Sequence, residues 1–142
     1  MTEHCYIEPE VAGGLGKRTV IDTSVHPPVV SKLHYEMDGW LGDSILESFP
    51  SFIVTEALKE ALEQLGASGM SFDEAEVTTS GQFRALHPRQ TLPKFVWLKV
   101  QGTAGVDDLA LADDGRLVVS ARALEVMQKH GADNAVVEAF GG

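Results

Sequence analysis

Apolar positions along the chain follow two rhythms, and the change from one to the other marks its elements. Between Asp107 and Phe140 (DDLALADDGRLVVSARALEVMQKHGADNAVVEAF) the pattern predicts a turn, a short strand, a helix and a closing strand. Arg116–Val119 is apolar and β-branched, the character of a buried strand. Ser120 is placed to cap a helix, its hydroxyl accepting a hydrogen bond from a free backbone N–H of the first turn. Ala123, Val126, Met127 and His130 recur at i, i+3, i+4 and i+7, one face of that helix. Gly131 stands where a left-handed residue ends a helix, and Ala135–Phe140 resumes as strand.

The same order occurs earlier in the chain. Shifted by 65 positions without a gap, Asp43–Ala67 lies over Asp108–Ala132. Asp43 meets Asp108, Leu46 meets Leu111, Val54 meets Val119, and Gly66 meets Gly131. Thr55 replaces the Ser120 cap, and the helix face recurs as Leu58, Ala61, Leu62 and Leu65. Two related halves of one domain account for this match; two strand–helix–glycine units shaped by the same physics are the alternative. A solenoid would need about three or more repeats.

Lys94–Gln101 (KFVWLKVQ) is the clearest strand. Phe95 and Trp97 point one way and Val96, Leu98 and Val100 the other, so a central position is expected. Thr19–Asp22 and Ser31–Met37 are further strand candidates, and Met70–Val77, with three acids, reads as an exposed edge strand. Gly13-Gly14-Leu15-Gly16-Lys17 lacks the spacing of a phosphate-binding loop and reads as a flexible turn. Asp113-Asp114-Gly115 reads as a hairpin turn. Gly66 and Gly131 should matter as helix stops, and Gly102 and Gly105 less. The expected architecture is α+β, mostly antiparallel sheet with two packed helices over Thr55–Leu65 and Ser120–His130. Residues 1–142 are read as a single domain: an N-terminal segment 1–34, a first strand–helix–strand unit 35–77, a connector 78–93 and a second unit 94–142.

Composition narrows the function classes. With 44% apolar residues the chain is globular, and no apolar run approaches the roughly 20 residues that span a bilayer. The opening MTEHCYIEPE lacks the basic–apolar–small order of a signal peptide, so a cytoplasmic protein is expected. A net charge of −10 repels phosphate backbones and anionic lipid, which disfavours nucleic-acid and membrane partners. The charge is uneven: Glu36–Glu76 carries ten acids and one base, Lys59, whereas Thr78–Val106 carries only bases. That acidic stretch is either a solubilising face or a surface built to meet a basic partner. Its candidate contact residues are Glu36, Asp38, Trp40, Asp43 and Glu47; Trp40 is either a partly buried rim residue or an interface anchor. The five histidines are scattered without HxH or HExxH spacing, and Cys5 is the only cysteine. No catalytic residue, metal site or cofactor is therefore expected. A small enzyme with an unrecognised site and a regulatory or scaffold subunit remain as alternatives.

The WLKV strand, the DDLAL turn and the Val119-Ser120-Ala121-Arg122 step from strand to helix resemble the immunity-protein-11 type of bacterial polymorphic-toxin immunity proteins. They are also similar to the related double-CxxCG family, from which this chain departs because Cys5 stands alone. The resemblance covers residues 94–140 well, 35–77 in part and 1–34 not at all. It implies a small cytoplasmic protein that neutralises a cognate toxin, docking an acidic surface on the toxin's basic catalytic cleft.

Overall fold

A computed structural model describes residues 3–141. Among them the chain forms β1 (His4–Glu8), β2 (Gly13–Leu15), β3 (Val20–Asp22), β4 (Val29–Lys32), β5 (His34–Met37) and β6 (Ile45–Ser48). Next come β7 (Ser51–Thr55), α1 (Glu56–Leu65), β8 (Met70–Asp73), β9 (Glu76–Thr79) and α2 (Gly81–Leu86). The order closes with β10 (Phe95–Val100), β11 (Leu109–Leu111), β12 (Leu117–Ser120), α3 (Ala121–His130) and β13 (Val136–Ala139). The fold is α+β, and every sheet pairing but β5 with β9 is antiparallel among the named strands.

Both expected helices form, for the expected reasons. Thr55 Oγ1 accepts from the Leu58 N–H at 3.2 Å, and Ser120 Oγ accepts from the Ala123 N–H at 3.2 Å. Leu58 and Leu62 of α1, and Ala123 and Met127 of α3, are buried and join one core cluster. His130 is exposed, so the buried face of α3 ends at Met127. Gly66 has the left-handed geometry of a helix stop (φ 72°, ψ 32°), whereas Gly131 opens further, to φ 113° and ψ 105°.

The two units build sheets of matching order, β6-β7-β10-β8 and β11-β12-β1-β13, and each takes one strand from outside itself. β10 opens the second unit in sequence but lies between β7 and β8 of the first. β1 precedes the first unit but lies between β12 and β13 of the second. Registers agree as well: Trp97 sits between Ile53 and Asp73, and Tyr6 between Val118 and Glu138. The shift of 65 holds from β7 through α1 to β8, matched by β12, α3 and β13, but not in β6 and β11. Val54 faces Ile45 while Val119 faces Leu109, so Ile45 corresponds to Leu109 and not to Ala110. The first hairpin turn is one residue shorter, which corrects the gap-free alignment.

The place of β1 explains why residues 1–34 do not behave as a separate segment. β1 is an inner strand of the second sheet, and its Ile7 is fully buried. β10 is central as expected, with Phe95 and Trp97 in one apolar cluster and Val96 and Leu98 in the other. A second layer covers the outer face of the first sheet. It consists of β2-β5-β9 and α2, with the ribbon β3–β4 beside it, and it buries Leu33, Tyr35, Met37 and Phe83 against Leu46, Ile53 and Trp97.

Three sequence expectations change in this layer. Ser31–Met37 is two strands, β4 and β5, parted at the buried Leu33. Met70–Val77 is also two: the Glu74 N–H turns back to Asp73 Oδ1 at 2.8 Å, and the Glu76 N–H then donates to Leu33 O, just ahead of β5 in a different sheet. Gly13–Leu15 of the glycine run is strand β2, not a flexible turn. A Cβ at Gly13 would overlap Glu36 O, and one at Gly16 would overlap the His34 ring, so glycine permits the close pairing with β5.

Candidate protein-binding surface

A cleft of about 460 Å³ opens between the chain after β1, the turn after β5 and helix α2, lined among others by Glu10, Val11, Asp38, Trp40, Leu41, Gln82 and His87. Trp40 is held from several sides. Its indole N–H donates to Asp43 O at 2.9 Å, its carbonyl accepts from Gln90 Nε2 at 3.1 Å, and its ring meets Phe95 edge-on at 5.8 Å. Val11 and Leu41 flank it with 67% and 73% of their surface exposed, an apolar rim around a fixed aromatic ring.

Beneath the rim lies Glu10, a buried carboxylate that accepts from the Leu41 N–H at 2.8 Å and the Asp43 N–H at 3.3 Å. Burial raises its pKa above the ordinary carboxylate value, the two backbone donors oppose that, and the Asp43 charge adds to it. The same two bonds fix the Leu41–Asp43 backbone, so Glu10 shapes the turn that presents Trp40 and Leu41.

The five sequence candidates separate. Asp38 and Trp40 come together in the cleft, and Asp38 is exposed. Glu36 is exposed on β5, where its charge acts on Arg18. Asp43 is buried and its carboxylate is used internally, accepting from the Asn134 N–H at 2.8 Å and Asn134 Nδ2 at 3.0 Å. Glu47 is half-buried, its pKa raised by burial and by the Glu8 charge, and it does not line the cleft. Glu10, Val11 and Leu41 were missed because their meeting depends on long-range packing. Only the apolar pair Trp40-Leu41 between glycines hinted at an exposed turn.

The other chemistry-bearing residues serve the fold. Asp108 is buried and takes a two-pronged contact from Arg122, Nε at 2.9 Å and Nη2 at 2.7 Å, with Ser120 Oγ at 2.6 Å and the Ser68 N–H at 2.9 Å. The acidic turn and the valine-serine-x-arginine step are thus one bonded cluster tying the second unit to the turn after α1. His34 is buried, with Nδ1 accepting from the Arg18 N–H at 3.2 Å and Nε2 at 2.7 Å from Thr78 Oγ1. Among the described residues no group of three or more His, Cys, Asp or Glu could hold a metal ion. No helix among them is long and apolar enough to cross a membrane. No protein-family model matches the chain, and no curated protein matches it.

Proposed function

We propose that the protein is a binding inhibitor of the immunity type, which occludes the basic active-site cleft of a toxin with an acidic surface. The observation that carries the reading is the cleft: an immobilised Trp40 between the exposed Val11 and Leu41, with the Asp38 carboxylate beside it. An aromatic ring in a largely preformed apolar setting loses little conformational freedom on docking, which is how interface anchors work. The net charge of −10, with Glu36 and Asp38 exposed, favours a cationic partner such as an enzyme that grips phosphates.

Inhibition in this scheme is stoichiometric. Acidic side chains draw the partner in, Trp40, Val11 and Leu41 are desolvated at the contact, and substrate is excluded from the covered cleft. The test is co-expression with any toxic domain found encoded beside this chain, together with purified binding kinetics. Trp40→Ala should raise the dissociation rate and abolish protection while the protein stays folded. A single histidine or aspartate substitution that abolished protection without weakening binding would overturn occlusion.

A further inference from the structure

Among the described residues a single histidine, His34, is buried, and the inhibitor reading gives it no part. It lies beneath a turn at residues 16–19, closed by the Thr19 N–H donating to Gly16 O at 3.0 Å. Both ends of that turn are fastened to the main chain of His34. The Gly16 N–H donates to His34 O at 2.7 Å, Thr19 Oγ1 donates to the same oxygen at 2.9 Å, and the His34 N–H donates to Thr19 Oγ1 at 3.0 Å. The tip is fastened to the ring instead, with the Arg18 N–H donating to His34 Nδ1 at 3.2 Å.

A backbone N–H can only donate, so Nδ1 must offer its lone pair, and the proton of the neutral ring sits on Nε2, which donates to Thr78 Oγ1 at 2.7 Å. A second proton has only Nδ1 to go to, and there it meets the Arg18 N–H donor against donor. The ring cannot swing toward Gly16, where a Cβ would fall 2.1 Å from Nδ1 and 2.2 Å from Cε1. The charged groups around it are Lys17 and Arg18 of the turn, Lys32 of β4, Glu36 of β5 and Glu76 of β9. Arg18 Nε holds Glu76 Oε2 at 2.7 Å, and the charges of His34 and Lys32 act on the same carboxylate. An imidazolium would lose the Arg18 N–H, repel the two cations of the tip and compete with Arg18 for Glu76.

We propose that His34 is a proton-operated latch: the neutral ring holds the Lys17-Arg18 tip of the turn closed, and the imidazolium releases it. The ends of the turn are bonded to main-chain groups that do not titrate, so the tip moves between fixed points. Neither His34 nor any residue of the turn lines the Trp40 cleft, and the latch does not depend on the inhibitor reading.

The test follows the full chain by NMR across the range in which histidine ordinarily changes charge, about pH 8 to pH 5. Ring nitrogen shifts of His34 are compared with amide exchange corrected for its intrinsic pH dependence. At the alkaline end the ring should carry its proton on Nε2. As the ring takes up its second proton, protection of the Arg18 amide should fall about tenfold or more in step with it, while amides of β7 and β12 keep theirs. In His34→Asn, whose side chain does not titrate, Arg18 protection should not change across the same range. If that variant fails to fold, the comparison of ring and amide in the wild type decides alone. A proton on Nδ1 at the alkaline end, a ring that stays neutral throughout, or a protonated ring with Arg18 still protected would each overturn the latch. So would a pH-dependent loss of Arg18 protection in His34→Asn, which would assign the opening to another group.

Discussion

Guanidinium, hydroxyl and backbone donors converge on the Asp108 carboxylate, and its titration follows from them. The Arg122 hydrogen bonds, then those of Ser120 and Ser68, hold its pKa well below the ordinary carboxylate range, against the opposing effect of burial. A carboxylate whose folded pKa is depressed contributes stability that is present above its unfolded pKa, about 3.9, and lost as pH falls through the folded value. The gap in melting temperature between wild type and Asp108→Asn should accordingly stay constant from neutral pH to about pH 4 and shrink below it. A gap that closed near pH 6 would contradict this assignment. Glycines make the second residue-scale case. Gly66→Ala meets no neighbouring atom and carries only the left-handed penalty, on the order of 1 kcal/mol. Gly102, expected from sequence to matter less, would place a Cβ 2.2 Å from Leu109 O and 2.6 Å from the Asp107 Cβ. Gly102→Ala should cost more than Gly66→Ala, roughly 1–3 kcal/mol as for other overpacked sites, in chemical denaturation.

At the level of elements, the exchanged strands decide stability. β1 is hydrogen-bonded between β12 and β13 in their sheet, and its Ile7 lies in the cluster that also holds Leu117, Val119 and Met127. Ile7→Ala should therefore cost about 2–5 kcal/mol, the range for a fully buried aliphatic side chain. Hydrogen exchange should show α3 and β12 loosening with it, although they lie more than 100 residues away in sequence. Loosening confined to residues 3–15 would show that β1 is peripheral.

For the whole molecule, the charge distribution makes a kinetic prediction. Salt shortens the reach of exposed charges to about 8 Å at physiological ionic strength. If an acidic surface steers a basic partner, the association rate should fall steeply as salt rises, and Glu36→Gln with Asp38→Asn should lower both the rate and its salt dependence. Trp40→Ala should act on dissociation instead. An association rate indifferent to salt would remove steering from the mechanism. Asp43→Asn does not belong with the charge variants: Asp43 is buried against Asn134, and its loss would be read as stability.

Local physics made much of this legible from the sequence. Caps, helix periodicity and the two-faced apolar pattern of Lys94–Gln101 act within a few residues, and α1, α3 and β10 formed where those signals stood. The repeated Thr55 and Ser120 helices were visible for the same reason. Which sheet a strand joins is not a local property. Nothing within HCYIE says that it pairs with residues 117–120 and 136–139, because that choice depends on the core both sheets share. Charge could be counted in the sequence, but burial could not: Asp38 and Asp43 are both aspartates of one acidic stretch, and only long-range packing leaves the first in solvent and encloses the second. The cleft around Trp40 belongs with these tertiary outcomes, since Val11, Leu41 and His87 meet only after the chain has folded across itself.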